Sequence, residues 1–156
     1  MASILKVDEI QDITGKKILQ NTGSVLQIVK DHASNAGGYI NSTSYTDINL
    51  TVDITPTSTS SKILVLCTGS FQTDDDNGAI HTVRVLRDDT TTTGITYGGT
   101  DENDQAMTFS YSMMHLDEPA TTSSVTYKVQ VKSTKVNSDF RARGGGDNLF
   151  VLEIAG

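Results

Sequence analysis

The sequence predicts an all-β protein, an antiparallel two-sheet sandwich of jelly-roll type with an extended N-terminal arm. Three observations predict it. Threonine and serine fill 37 of the 156 positions, 22 and 15 respectively; Thr favours strands and Ser favours turns and edges. Short segments of apolar–polar alternation recur along the chain, separated by Gly, Asn and Asp turn signals. No long amphipathic helix interrupts them.

The first segment fits neither regular pattern. In M-A-S-I-L-K-V-D-E-I-Q-D-I-T-G-K-K-I-L-Q-N-T-G, Leu5 and Val7 alternate like a strand, and Ile10 and Ile13 follow at a spacing of three. Thr14-Gly15 reads as a turn, Ile18-Leu19 resumes, and Asn21-Thr22-Gly23 breaks the pattern again. Lys6, Asp8 and Glu9 interrupt the apolar run too early for a secretory signal. These apolar side chains therefore need burial against something outside so short a segment. A boundary near Gly23 divides an arm, residues 1–23, from a sandwich, residues 24–156.

Strand signals are frequent after that boundary. Ser24 to Val29 is the first, followed by a loose segment through His32 and Gly37-Gly38. Asn49 to Ile54 places Leu50, Val52 and Ile54 on one face, and Pro56 with Thr57 to Ser61 ends it. Ile63 to Cys67 is apolar on both faces, as in a central strand with cover on each side. Ala79 to Arg87 follows, turned by Asp88-Asp89-Thr90. Met107 to Leu116 sets Phe109, Tyr111, Met113 and His115 on one face, and Pro119 stops it. Val125 to Lys132 is the clearest strand, with Val125, Tyr127, Val129 and Val131 on one face. Asn148 to Ile154 closes the chain, Phe150, Leu152 and Ile154 facing one way. The polar stretches Asp74 to Gly78 and Thr90 to Gln105 read as long Greek-key crossovers. About eight short strands result, the pattern of a sandwich or jelly roll.

Charge and motif content narrow the function. A net charge of −7 argues against nucleic acid as partner. No apolar run approaches the ~20 residues of a membrane helix, so no membrane insertion is expected. A single cysteine, Cys67, lies in an apolar strand and reads as a buried hydrophobe. His32, His81 and His115 are far apart and in no metal-ligand spacing, and no nucleophile elbow or phosphate-binding loop is present. No catalytic residue, cofactor or metal is expected. The loops Asp74-Asp75-Asp76-Asn77-Gly78 and Asp101-Glu102-Asn103-Asp104 carry enough carboxylates for calcium, yet lack EF-hand spacing and read as solvated turns. Gly144-Gly145-Gly146, preceded by Arg141 and Arg143, forms a loop able to cradle an anion or glycan. Its plainer reading is a flexible turn. Residues 128–143 hold five positive charges against Asp139 alone, a local basic face on an acidic chain.

Four stretches carry a resemblance. The opening I-L-K-V-D-E-I-Q-D-I-T-G-K-K-I-L resembles that of small virion structural proteins of marine tailed phages, cyanophages among them, whose opening has the form L-K-V-D-x-I-x-D-x-x-G. Ile54-Thr-Pro-Thr-Ser-Thr-Ser-Ser-Lys-Ile-Leu-Val-Leu is similar to that family's I-T-P-S-S-x-S-K-I-L-V segment. Leu116-Asp-Glu-Pro-Ala-Thr-Thr-Ser-Ser-Val-Thr-Tyr-Lys-Val-Gln resembles its D-x-P-x-T-T-S-x-x-T-Y-K-V-Q segment, and the ending Leu152-Glu-Ile-Ala-Gly is similar as well. The resemblance implies a homotrimer of jelly-roll subunits, TNF/C1q-like in form, on the exterior surface of a phage particle. Its partners would be copies of itself, another virion protein and a host surface glycan; the arm residues Leu5, Val7, Ile10, Ile13, Ile18 and Leu19 would be buried either by three arms wound together or by docking on that virion protein. Tail-fibre or adhesin-like service is the leading role, with capsid decoration the alternative in the same class. A glycan-processing enzyme is the remote alternative, because it needs paired carboxylates in a long groove and this chain is short for that.

Overall fold

The computed structural model of the 156-residue chain describes residues 14, 23–33, 39–40, 42–74, 79–98, 107–135, 139–142 and 146–156. Among these, the strands in order are β1 (Val25–Ala33), β2 (Tyr39–Ile40), β3 (Thr46–Ile54), β4 (Lys62–Asp74), β5 (Ile80–Arg87), β6 (Thr90–Gly98), β7 (Met107–Asp117), β8 (Val125–Ser133), β9 (Asp139–Ala142) and β10 (Asp147–Ile154). The described residues form no helix.

All pairings are antiparallel. One sheet runs β1-β10-β4, with β7 on the far side of β4; the short pair β9-β2 continues along the second half of β4. The other sheet runs β3-β8-β5-β6. Numbering only the eight long strands in chain order, the sheets read 1-8-3-6 and 2-7-4-5. This is the double Greek key of a jelly roll, as the sequence predicts.

Alternation explains how each strand feeds the core between the sheets. Along β3, Ile48, Leu50, Val52 and Ile54 point inward, and along β8 so do Val125, Tyr127, Val129 and Val131. They meet Ile63, Val65, Cys67 and Phe71 of β4, Val83 and Val85 of β5, Tyr111 and Met113 of β7, and Leu149 and Val151 of β10. Cys67 is buried with its thiol pushed up to about 12, first by burial and then by the nearby Asp147 charge. His81 packs with no exposed surface, its ring 5.8 Å from that of Phe71.

Three expectations need correction, and a fourth gains a direction. The stretch from Thr90 is no crossover loop: Thr90–Gly98 is β6, joined to β5 by the tight turn Asp88-Asp89, with Asp88 at φ 51. Its threonines make an edge strand with too few apolar side chains to show alternation. The first strand runs on through His32 to Ala33, because Asp31 and His32 still pair with β10. Phe150, Leu152 and Ile154 share a face, as expected, and it is the outer one; the inward residues of β10 are Asp147, Leu149, Val151 and Glu153. Finally, β4 is central, yet the fold covers only one of its two apolar faces: Ile63, Val65 and Cys67 are buried while Leu64 and Leu66 are only partly so.

Candidate functional site

The uncovered side of the first sheet is the most unusual surface. Register puts Ile28, Leu152, Leu64 and Leu116 in one outward row across β1, β10, β4 and β7. The next row is Lys30, Phe150, Leu66 and Met114. Val25 and Ile154 extend the apolar area on the first side. Val25 is 50% exposed, Ile28 60%, Met114 71% and Leu116 50%. Polar groups bound the patch at both ends. Lys62 and Glu118 form an ion pair at 2.8 Å beyond the first row. Beyond the second, the row is His32, Asn148, Thr68 and Ser112, with His32 Nδ1 3.2 Å from Asn148 Oδ1. At ~4.8 Å per strand the outer columns stand about 14 Å apart, a flat patch of several hundred Å2. A contiguous apolar area of this size is on the scale of patches that mark interaction sites.

The outer face of the second sheet is of opposite character. There the guanidinium of Arg84 (β5) lies 3.4 Å above the centroid of the Tyr45 ring, and the Lys132 ammonium (β8) is 4.6 Å from the same centroid. Arg84 Nε and Nη2 both donate to Gln130 Oε1, at 3.1 and 2.7 Å, and Nη1 donates to Thr91 Oγ1 at 3.1 Å. Gln130 Nε2 in turn donates to Asp47 Oδ1 at 2.7 Å. Lys128 sits 3.9 Å from Asp47 and 3.7 Å from Asp89.

Beneath these faces three acidic groups are buried or half-buried. Glu153, with no exposed surface, accepts from Thr57 N (2.6 Å), Thr57 Oγ1 (2.7 Å), Ser61 Oγ (2.6 Å) and Gln27 Nε2 (2.6 Å). Burial alone raises its pKa, but the converging donors outweigh burial and hold the carboxyl below the usual range. Asp147 accepts from Ser70 N (3.0 Å) and Tyr111 Oη (3.2 Å), yet burial prevails and its pKa is raised. Arg87 Nη1 donates to both oxygens of Asp117, at 2.9 and 2.7 Å, and Tyr127 Oη donates to Asp117 Oδ2 at 2.7 Å. Burial, reinforced by that bond, raises the phenol's pKa. Each group is bound into the fold by these hydrogen bonds. No group of three or more His, Cys, Asp or Glu among the described residues is placed to hold a metal ion.

The basic segment, residues 128–143, does not form a single face. Its first lysines, Lys128 and Lys132, lie outward on β8 of the second sheet, whereas Arg141 lies on β9 of the first. Gly146 is exposed and its carbonyl accepts from Asn148 Nδ2 at 2.6 Å. Arg143, Gly144 and Gly145 lie outside the described residues, as do Leu5, Val7, Ile10, Ile13, Ile18 and Leu19 of the arm and the acidic stretches 75–78 and 101–104. The Tyr45–Arg84–Lys132 cluster was not legible in the sequence, because its members come from three strands or strand ends far apart in the chain. The apolar patch did leave a signal, the two-faced apolar run of β4.

The chain matches no protein-family model and no curated protein. Among solved structures it is similar to a chain of infectious bursal disease virus, Gx strain, at 14% identity and a TM-score of 0.47, covering 83% of this chain and 32% of that one. A chain from the crystal structure of the viral particle of the same virus gives 11% identity and a TM-score of 0.49, covering 100% and 36%. The CBM36-1 domain of a multidomain xylanase from the hindgut metagenome of Trinervitermes trinervoides gives 15% identity and a TM-score of 0.43, covering 80% and 96%. The chain thus spans about a third of the viral chains it is similar to.

Proposed function

We propose that this chain is a non-enzymatic structural protein of the exterior of a phage particle, a homotrimeric fibre or adhesin-like component. The observation that carries the reading is the apolar outer face of the β1-β10-β4-β7 sheet, with Ile28, Met114 and Leu116 half or more exposed. Covering a face of this kind is favourable, and copies of the same chain are the occupant the face favours. It is flat and nearly free of charge across two rows, Lys30 excepted, as sheet-on-sheet contact requires. Three copies turning this face to a common axis bury all three patches at once in a closed symmetric assembly. The phage setting rests on the four sequence stretches described above, and the arm, with Leu5 to Leu19, serves to attach the trimer to a second virion protein.

Electron microscopy of particles carrying a labelled copy of the protein tests the role. Label at the tail supports the fibre reading. Label spread over the head replaces it with decoration, and absence of label from purified particles overturns the virion assignment.

A further inference from the structure

We propose that the outer face of the second sheet holds a binding site for an acidic polysaccharide, centred on Arg84, Lys132 and Tyr45. Two cations share one aromatic ring, at 3.4 and 4.6 Å from its centroid. Among the described residues, the nearby carboxylates are committed elsewhere: Asp47 to Gln130 and Lys128, and Asp89 to Lys128. Among the described residues no ion pair to Arg84 or Lys132 offsets their mutual repulsion, and an external oxyanion would supply that partner. Arg84 is held ready for it. Gln130 and Thr91 take three of its five N–H hydrogens and fix the plane of the guanidinium, leaving two for a ligand.

The surroundings favour a sugar as the carrier of that anion. Opposite Arg84 on β6 stands Gly94, and opposite Lys132 on β5 stands Thr82, which itself faces Thr96. The face beside the cations is therefore low and lined with hydroxyls, Thr82 Oγ1 lying 3.4 Å from Thr96 Oγ1. Neutral donors and acceptors beside two cations suit a ring that carries hydroxyls together with a carboxylate or sulfate. A nucleic acid is disfavoured by the net charge of −7. The site deepens the adhesin reading, since this face points away from the apolar patch and stays open when that patch is covered. Repeated sites in an assembly would add through multivalency.

The test is binding of the purified full-length protein to polygalacturonate, with uncharged dextran and poly-glutamate as controls, at low salt. The expected result is binding to polygalacturonate alone, weakening with added salt. The double variant Arg84→Ala with Lys132→Ala should weaken it about tenfold, as befits two exposed charge contacts, while still melting cooperatively. Lys132→Ala alone should weaken it less, and Lys135→Ala not at all. Binding to dextran as strong as to polygalacturonate, equal binding to poly-glutamate, or an equal loss in Lys135→Ala would each overturn the proposal. So would wild-type affinity in the Lys132→Ala variant. Light scattering on the same samples reports oligomeric state separately, so a monomer that binds polygalacturonate refutes the trimer and leaves this site standing.

Discussion

Glu153 has no exposed surface and stays ionised because four donors converge on it. In Glu153→Gln the amide group must face either the three donors at Oε1 or the Gln27 amide at Oε2, so at least one buried donor loses its acceptor. The expected cost at neutral pH is about 1–3 kcal/mol in denaturant unfolding. Because the folded pKa is depressed, the stability contributed by the wild-type carboxylate is full above the ordinary Glu value near ~4.3. It is lost as pH falls through the lower folded value, so wild type and variant should converge there. Asp147 carries the opposite sign. Its pKa is raised by burial, so ionisation costs stability at neutral pH and that cost disappears in acid. Asp147→Asn keeps an oxygen for Ser70 N and Tyr111 Oη and should be neutral or stabilising at pH 7, with the difference vanishing in acid. A Cβ on Gly69 would run into Asp147 Oδ1 and the Tyr111 ring, which is why β4 carries glycine there. Gly69→Ala should therefore break the Tyr111–Asp147 bond, and a melting temperature equal to wild type would refute that account.

At the scale of the element, legibility followed the chemistry of each strand. β3 and β8 were readable because apolar side chains alternate with polar ones and one face is solvated. β6 was not, because a run of threonines offers strand propensity without a face, and the turn that makes it a hairpin depends on Asp88 adopting φ 51. β10 was legible as a strand with a shared apolar face, but the side that face takes was not. Its outward Phe150, Leu152 and Ile154 look like core, while its inward set ends in a charged Glu153 that only the donors on Gln27, Thr57 and Ser61 make tolerable. The arm and the Arg143–Gly145 loop lie outside the described residues and are untouched by this comparison. Tyr127 tests the best-read strand. It has no exposed surface and donates to Asp117, so Tyr127→Asp sets a second carboxylate against Asp117 in the core and should abolish folding. Tyr127→Phe removes only the hydrogen bond and should cost about 1 kcal/mol. A cooperative, wild-type thermal transition for Tyr127→Asp would mean that the inward face of β8 is wrongly assigned.

For the whole molecule, the two sheets present unlike surfaces to the outside, one apolar and one polar, with charges of both signs and hydroxyls. Covering several hundred Å2 of apolar surface per copy at ~25 cal/mol per Å2 contributes on the order of 10 kcal/mol per copy. Three such contributions exceed the cost of two association steps at the low and middle of the ~4–15 kcal/mol range. Assembly through this face is thus the central claim, and Met114 is its sharpest probe, being 71% exposed in the single chain and so free to change without disturbing the core. The most direct measurement is light scattering of wild type and Met114→Glu across a dilution series, with thermal melts alongside. The account predicts a wild-type trimer that persists on dilution and a Met114→Glu protein that is monomeric yet equally well folded. A wild-type protein that is a stable, soluble monomer, or a Met114→Glu protein that remains trimeric, would contradict it.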